Sequence, residues 1–303
     1  MIRRAKDPPI ADGRFGSKQG FTRRTSTRQG GPYYPQPSPP PPQPIPVPSH
    51  SPAHGLRIAL VTSLYHEEIL ARCLLNHYWF CNKVFVVLGQ SPDATEAIVN
   101  SDPRCVVQIL NMPDGFRDDT KAGAQNDILR REKDNFDWFI VTDADEFVYP
   151  TGAPTCVTFR EWLTTVPDEQ RAIPCHLSNV YRHRDDRDLD LTFCSAPAIL
   201  QRRHGVLKPH PGYIKPNVIR PGLEIDLGHH SIRGLHGQDF KSLRGSHWAW
   251  ADPAFSITRT VDDRTNRQHP NQYKHNWGNG NYGQSYDSVR QKLNNHLDDP
   301  LIV

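Results

Sequence analysis

Apolar residues fall into short, nearly continuous runs, separated by stretches with helical spacing. Residues 57–62 (Arg-Ile-Ala-Leu-Val-Thr) predict a buried strand. Ile69, Leu70, Cys73, Leu74, His77 and Tyr78 recur at helical spacing and predict a helix over 66–80. Residues 83–88 predict a second strand, 89–93 a turn, 94–100 a helix and 106–110 a third strand. A helix over 120–133 turns Ala124, Ile128 and Leu129 inward, and the run Trp138-Phe139-Ile140-Val141-Thr142 predicts a fourth strand. Apolar strands alternating with helices predict an α/β fold, a mostly parallel sheet flanked by helices on both faces.

The second half is less regular. A short helix is expected over 159–165, and the dense charges of 182–190 read as a loop. Repeated prolines with Gly212 over 209–221 argue against a long helix there. Residues 262–284 are rich in Asn, Gln and Gly, and Val289, Leu293 and Leu297 predict a last helix over 285–297.

Composition changes the picture at the N-terminus. Of the 303 residues only 36% are hydrophobic, and the first 54 explain much of the deficit. Residues 1–31 carry eight Lys or Arg against Asp7 and Asp12, and residues 32–52 hold 11 of the 28 prolines. Such a segment buries too little surface to offset its ordering entropy, so residues 1–54 are expected to be a disordered basic and proline-rich tail, with contact to a polyanion as its sharper reading. The expected domain limits are then 55–260 for the α/β domain and 261–303 for a polar extension. The net charge of +3 excludes a histone-like nucleic-acid coater. No apolar run reaches the roughly 18 residues of a membrane span, and no apolar stretch after the basic start suggests a secretory signal. Cys73, Cys81, Cys105, Cys156, Cys175 and Cys194 form no C-x-x-C pair and read as free thiols of a cytoplasmic protein.

The candidate chemistry sits where the fourth strand ends. Residues 138–149 run from an apolar strand into Asp143, Asp145 and Glu146, and open α/β sheets bind ligands beyond the carboxyl ends of their strands. Extended geometry would point Asp143 and Asp145 the same way, toward a hard divalent cation such as Mg²⁺ or Mn²⁺. Such a metal would neutralise a diphosphate leaving group.

With these residues the chain resembles the glycosyltransferase family 2-like proteins of GT-A fold. Asp143-Ala144-Asp145-Glu146-Phe147 carries the closest match. The first strand leads into Thr62-Ser63-Leu64-Tyr65-His66-Glu67-Glu68, where the family has Asn-Glu at the position of His66-Glu67. Gln90-Ser91-Pro92-Asp93-Ala94-Thr95 is similar to the family's Ser-x-Asp-x-Thr turn, and Arg117, Lys121 and Asn126 resemble its nucleotide-facing positions. The resemblance spans about residues 56–235. It implies a GT-A-like domain, a nucleotide-sugar donor, a divalent metal and inversion in one displacement. Donor contacts would come from Thr62, Glu67, Asp93, Arg117, Lys121, Asn126, Asp143 and Lys215, the last in a Lys…Arg-Pro stretch like the family's. The metal ligands would be Asp143, Asp145 and a histidine of Gly228-His229-His230, with His230 the first choice and His229 the second.

An inverting displacement also needs a base for the acceptor's proton. Asp185, Asp186, Asp188, Asp190, Glu224 and Asp226 are candidates, with Asp186 and Asp188 favoured because a charged loop can cover a site. His236 and His247 are further histidine candidates. Lys208 and Arg220 are candidate phosphate or acceptor contacts, and Trp248 and Trp250 candidate stacking surfaces. The acceptor stays open: a carbohydrate, a lipid-linked acceptor or a nucleic acid with a modified base. A nucleotidyltransferase, an inactive binding module of the same fold and a His-rich zinc hydrolase are the alternatives. The last lacks H-E-x-x-H.

Overall fold

A computed structural model describes residues 55–112, 115, 117–151, 159–187, 201–207, 214–235, 242–263 and 284–299. Asp188, Asp190, Lys208, His236, the basic tail and most of the Asn/Gln/Gly stretch lie outside the described residues.

The first half alternates strand and helix as expected. The elements are β1 (Ile58–Leu64), α1 (Glu68–His77), β2 (Lys83–Gly89), α2 (Thr95–Ser101), β3 (Cys105–Leu110), α3 (Asp118–Arg131) and β4 (Trp138–Asp143). Then follow β5 (Glu146–Pro150), α4 (Phe159–Thr164), β6 (Ala172–Tyr181), β7 (Gly205–Leu207), β8 (Ile214–Ile219) and β9 (Leu243–Trp250). A short helix α5 (Pro253–Ile257) continues into a π-helical turn over Thr258–Asp263, and α6 (Tyr286–Asn294) is the last helix described.

One sheet joins all the strands in the order β3-β2-β1-β4-β8-β6-β9-β5, with β7 on β6. The first four strands are mutually parallel. Beyond β4 the directions mix: β8 runs antiparallel to β4 and β6, while β6 and β9 are parallel.

Strand alternation assigns the two faces. Ile58, Leu60, Val84, Val86, Trp138 and Ile140 pack with α1 and α2 residues such as Leu70, Leu74 and Ile98. Their neighbours Ala59, Val61, Phe85, Val87, Phe139 and Val141 pack with Ala124, Ile128 and Leu129 of α3. A smaller cluster joins Tyr181, Ala249 and Trp250 to Val289 and Leu293 of α6. Among the described residues Cys73, Cys81, Cys105 and Cys175 form no disulfide, as expected, and Cys156 and Cys194 lie outside the described residues.

The loops at the carboxyl ends of β1 and β2 are stitched together. Asp93 accepts the Glu68 N–H at 3.1 Å and the Thr95 N–H at 3.0 Å, and Thr95 Oγ1 accepts the Glu67 N–H at 2.9 Å. The orphan donors at the starts of α1 and α2 thus share one turn. No described helix is long and apolar enough to cross a membrane.

Candidate active site

The site is assembled at the carboxyl end of β4. Asp143 pairs with Ser63 of β1, and the chain then turns through Ala144 and Asp145 before β5 begins. That turn breaks the strand alternation. Asp143 and Asp145 therefore do not share partners as an extended strand would have them; each has its own set.

Three neighbours converge on Asp143. Helix α3 places Lys121 and Gln125 one turn apart on its sheet-facing side. The Lys121 ammonium lies 2.9 Å from Asp143 Oδ1 and 3.7 Å from Asp118. Strand β8 carries Lys215 and Asn217, two apart and so on one face. Lys215 Nζ bridges Asp143 Oδ2 at 3.1 Å and Glu146 Oε1 at 2.5 Å. Asn217 donates its amide to Glu146 Oε2 at 3.1 Å and to the Val141 carbonyl at 3.0 Å. The Asp143 N–H also donates to Glu146 Oε2, at 3.2 Å.

The third neighbour is His229. Gly228 and His229 both take positive φ, 70° and 59°, in the short 3₁₀ turn Leu227–His229. This conformation is costly for a residue with a Cβ and turns the His229 ring inward. Its Nε2 lies 2.8 Å from Gln125 Oε1, and with the amide oxygen turned toward the ring Nε2 is the protonated nitrogen. Nδ1 then presents a lone pair 3.9 Å from Asp143 Oδ1, buried and with no hydrogen-bond partner among the described residues. A lone pair facing a carboxylate is a pairing that a cation between them would satisfy. Asp143, Glu146 and His229 offer one ligand atom each, all within 4.8 Å of one another, so the residues present fit a divalent metal.

The electrostatics follow the geometry. Burial alone would raise the Asp143 carboxyl, but Lys121 and Lys215 outweigh it and hold it well below the ordinary carboxylate range. Burial would lower Lys215, and Glu146 and Asp143 reverse this and raise it. Burial pushes His229 down to about 3, partly opposed by Asp143, so its ring is neutral and able to ligate.

Asp145 belongs to a second, adjoining cluster. Arg259 of the π-helical turn contacts Asp145 Oδ2 and reaches Glu67 Oε1 at 2.9 Å. His247 Nε2 stands 3.4 Å from Asp145, while its Nδ1 meets Asn179 Oδ1 at 2.6 Å. Burial would raise the Asp145 carboxyl, and Arg259 with His247 hold it well down instead. The other described non-glycine residue at positive φ, His66 at 52°, sits beside Glu67 in the β1–α1 loop.

The remaining expected residues divide as follows. Thr62 is fully buried on the α1 face of the sheet, opposite to Asp143, where it pairs in register with Thr142. Asn126 is buried, donating to the Ile225 carbonyl and accepting the Ile225 N–H, both at 2.9 Å, which pins the 225 segment to α3. Asp93 is spent on the two helix starts. Arg117 holds Asp119 through two bonds of 3.0 and 2.5 Å. His230 is exposed, next to the inward His229. Asp186 accepts the His183 N–H at 2.8 Å in the loop after β6. Glu224 pairs with Arg130 and Arg233, both at 2.7 Å, and Asp226 accepts from Ser231 at 2.6 Å. Trp248 is buried against Phe147, and Lys292 lies 3.5 Å over the Trp250 ring. Gln125, Asn217 and Arg259 were not foreseen. Arg259 joins Asp145 across 114 positions with no motif to signal it.

No family model and no curated protein matches the chain. Among solved structures, glucosyl-3-phosphoglycerate synthase from Mycobacterium tuberculosis, in complex with Mn²⁺, UDP and phosphoglyceric acid, is similar at 15% identity and a TM-score of 0.27, over 41% of this chain and 44% of that one. The bifunctional glycosyltransferase WbbM gives 14% identity and a TM-score of 0.25, over 43% of this chain and 24% of that one. The 4-diphosphocytidyl-2C-methyl-D-erythritol synthase gives 12% and 0.29, over 55% of this chain and 75% of that one. The match spans less than half the length of the first two proteins.

Proposed function

We propose that the protein is a metal-dependent glycosyltransferase. It would move a sugar from a nucleotide-sugar donor to an acceptor hydroxyl, with inversion as the family resemblance implies. The observation that carries the metal site is the buried Nδ1 of His229, without a hydrogen-bond partner among the described residues, facing Asp143 at the carboxyl ends of parallel strands. Asp143, Glu146 and His229 would hold Mn²⁺ or Mg²⁺, which as a Lewis acid stabilises charge on a departing diphosphate. Asp145, tied to Arg259, serves instead to position the turn that carries Asp143.

The chain's own residues supply the rest. Lys121 and Lys215 are ammonium donors within reach of any anion at Asp143, and charge-assisted bonds of this kind are the strong ones. Glu67 and Arg259 fix the β1–α1 loop against the Asp145 turn, which keeps the mouth of the site in one geometry.

A thermal-shift panel tests the reading. UDP, GDP, CDP and their common sugars would each be added with Mn²⁺ and with EDTA, to wild type and to Asp143→Asn. One nucleoside diphosphate series is expected to raise the melting temperature, only with Mn²⁺ and only in wild type. Absence of any shift across the panel would contradict the proposal.

A further inference from the structure

The four carboxylate oxygens of the cluster all have donors already. Lys121 takes Asp143 Oδ1, and Lys215 takes Asp143 Oδ2 and Glu146 Oε1. Asn217 and the Asp143 N–H take Glu146 Oε2. Lone pairs remain on these oxygens, so the obstacle to a metal is charge and not coordination. Among the described residues two buried ammonium groups balance the buried Glu146 and the partly buried Asp143, with Asp118 at the rim, 3.7 Å from Lys121. His229 adds no charge. A dication entering alone would sit beside both ammonium groups in a poorly screened site.

We infer that Lys121 and Lys215 are exchangeable counter-cations, which occupy the carboxylates in the protein alone and pass to phosphate oxygens when metal and anion enter together. The inference rests on the metal reading of the cluster given above. Both side chains are suited to the exchange. An ammonium on a flexible four-carbon stem is a point charge that can change partners without a fixed fork geometry. Metal and anion then bind with positive coupling, and the coupling is reciprocal: each tightens the other by the same factor. The site would also discriminate against stray divalent cations, because a metal without its anion meets two positive charges.

Mn²⁺ titration followed by electron paramagnetic resonance of the free ion tests this on the full chain. Wild type is expected to bind Mn²⁺ on the order of tenfold more tightly with saturating inorganic phosphate than without it, about the effect of 1.4 kcal/mol of coupling. Lys215→Met is expected to bind Mn²⁺ more tightly than wild type in the absence of phosphate, and to lose the phosphate effect. Adding Asp143→Asn to Lys215→Met should remove the gain, which assigns it to this cluster. A folded Lys215→Met with unchanged Mn²⁺ affinity would overturn the inference, as would a wild type indifferent to phosphate. Should Lys215→Met fail to fold, the phosphate arm on wild type and Lys121→Met decide. Coupling without binding of any nucleotide sugar would remove the transferase reading and leave this one. Nucleotide-sugar binding without coupling would remove this one alone.

Discussion

At the scale of single residues, two histidines are kept neutral by burial, for different ends. His77 in α1 lies 2.9 Å from the Val148 carbonyl, and burial lowers it to about 4. In the unfolded chain it protonates near 6.5, so its contribution to stability is whole above that pH and fades as pH falls toward 4. Between pH 7 and 5 the loss is about 2 kcal/mol, and His229, lowered to about 3, adds to it in the same direction. Denaturant unfolding at the two pH values should show the loss, and His77→Gln, which can keep a donor to Val148, should shrink it without abolishing it, since His229 still titrates. The carboxylates respond lower. Asp143 and Asp145, both held well down, are stabilising above the unfolded value and withdraw support only as pH falls below it.

Asp143 was legible because a strand end is a strong local signal. The choice between His229 and His230 was not legible in the same way. It depends on the positive φ of Gly228 and His229, which rotates the ring of one residue inward and leaves the next exposed.

At the scale of elements, the first half was legible because each strand is a continuous apolar run and each helix has a clear face. Strands β5 to β9 were not. In β8 the apolar pattern is interrupted by Lys215, Pro216 and Asn217, two of which serve the site, so function overwrote the strand signal. In β9, Arg244, Gly245, Ser246 and His247 do the same, and Gly245 is required where a Cβ would come within 2.6 Å of Leu177 and 2.9 Å of the Cys175 sulfur. Asn126 shows how a family-like position can act through structure. Its reciprocal bonds hold Ile225, and through it the turn that presents His229 to α3. Asn126→Ala leaves the Ile225 N–H and carbonyl without these partners. It should cost about 1–3 kcal/mol in urea unfolding. It should also weaken Mn²⁺ binding, because His229 loses its anchor; an unchanged Mn²⁺ affinity would mean the turn is held independently.

At the scale of the whole molecule, the site is closed by a residue from far along the chain. Arg259 links Glu67, at the first strand's end, to Asp145, at the fourth's. Nothing near Arg259 in sequence marks it, since long-range ion pairs leave no local pattern. Removing one partner of a buried pair strands the other charge, so Arg259→Met should destabilise the fold by about 3–5 kcal/mol. Glu67→Gln added to Arg259→Met should cost less than the sum of the two single changes, because they share one network. Strict additivity in thermal or urea unfolding would show that the three groups do not act together.

The cluster of Asp143, Glu146 and His229 is the centre of the account, and anomalous diffraction at the manganese edge addresses it most directly. Crystals grown with Mn²⁺ and the nucleoside diphosphate that shifts the melting temperature should show one strong peak roughly 2.0–2.3 Å from Asp143 and from His229 Nδ1, with the diphosphate on its far side. A diphosphate bound at the strand ends with no manganese at this cluster, or manganese bound only elsewhere, would contradict it.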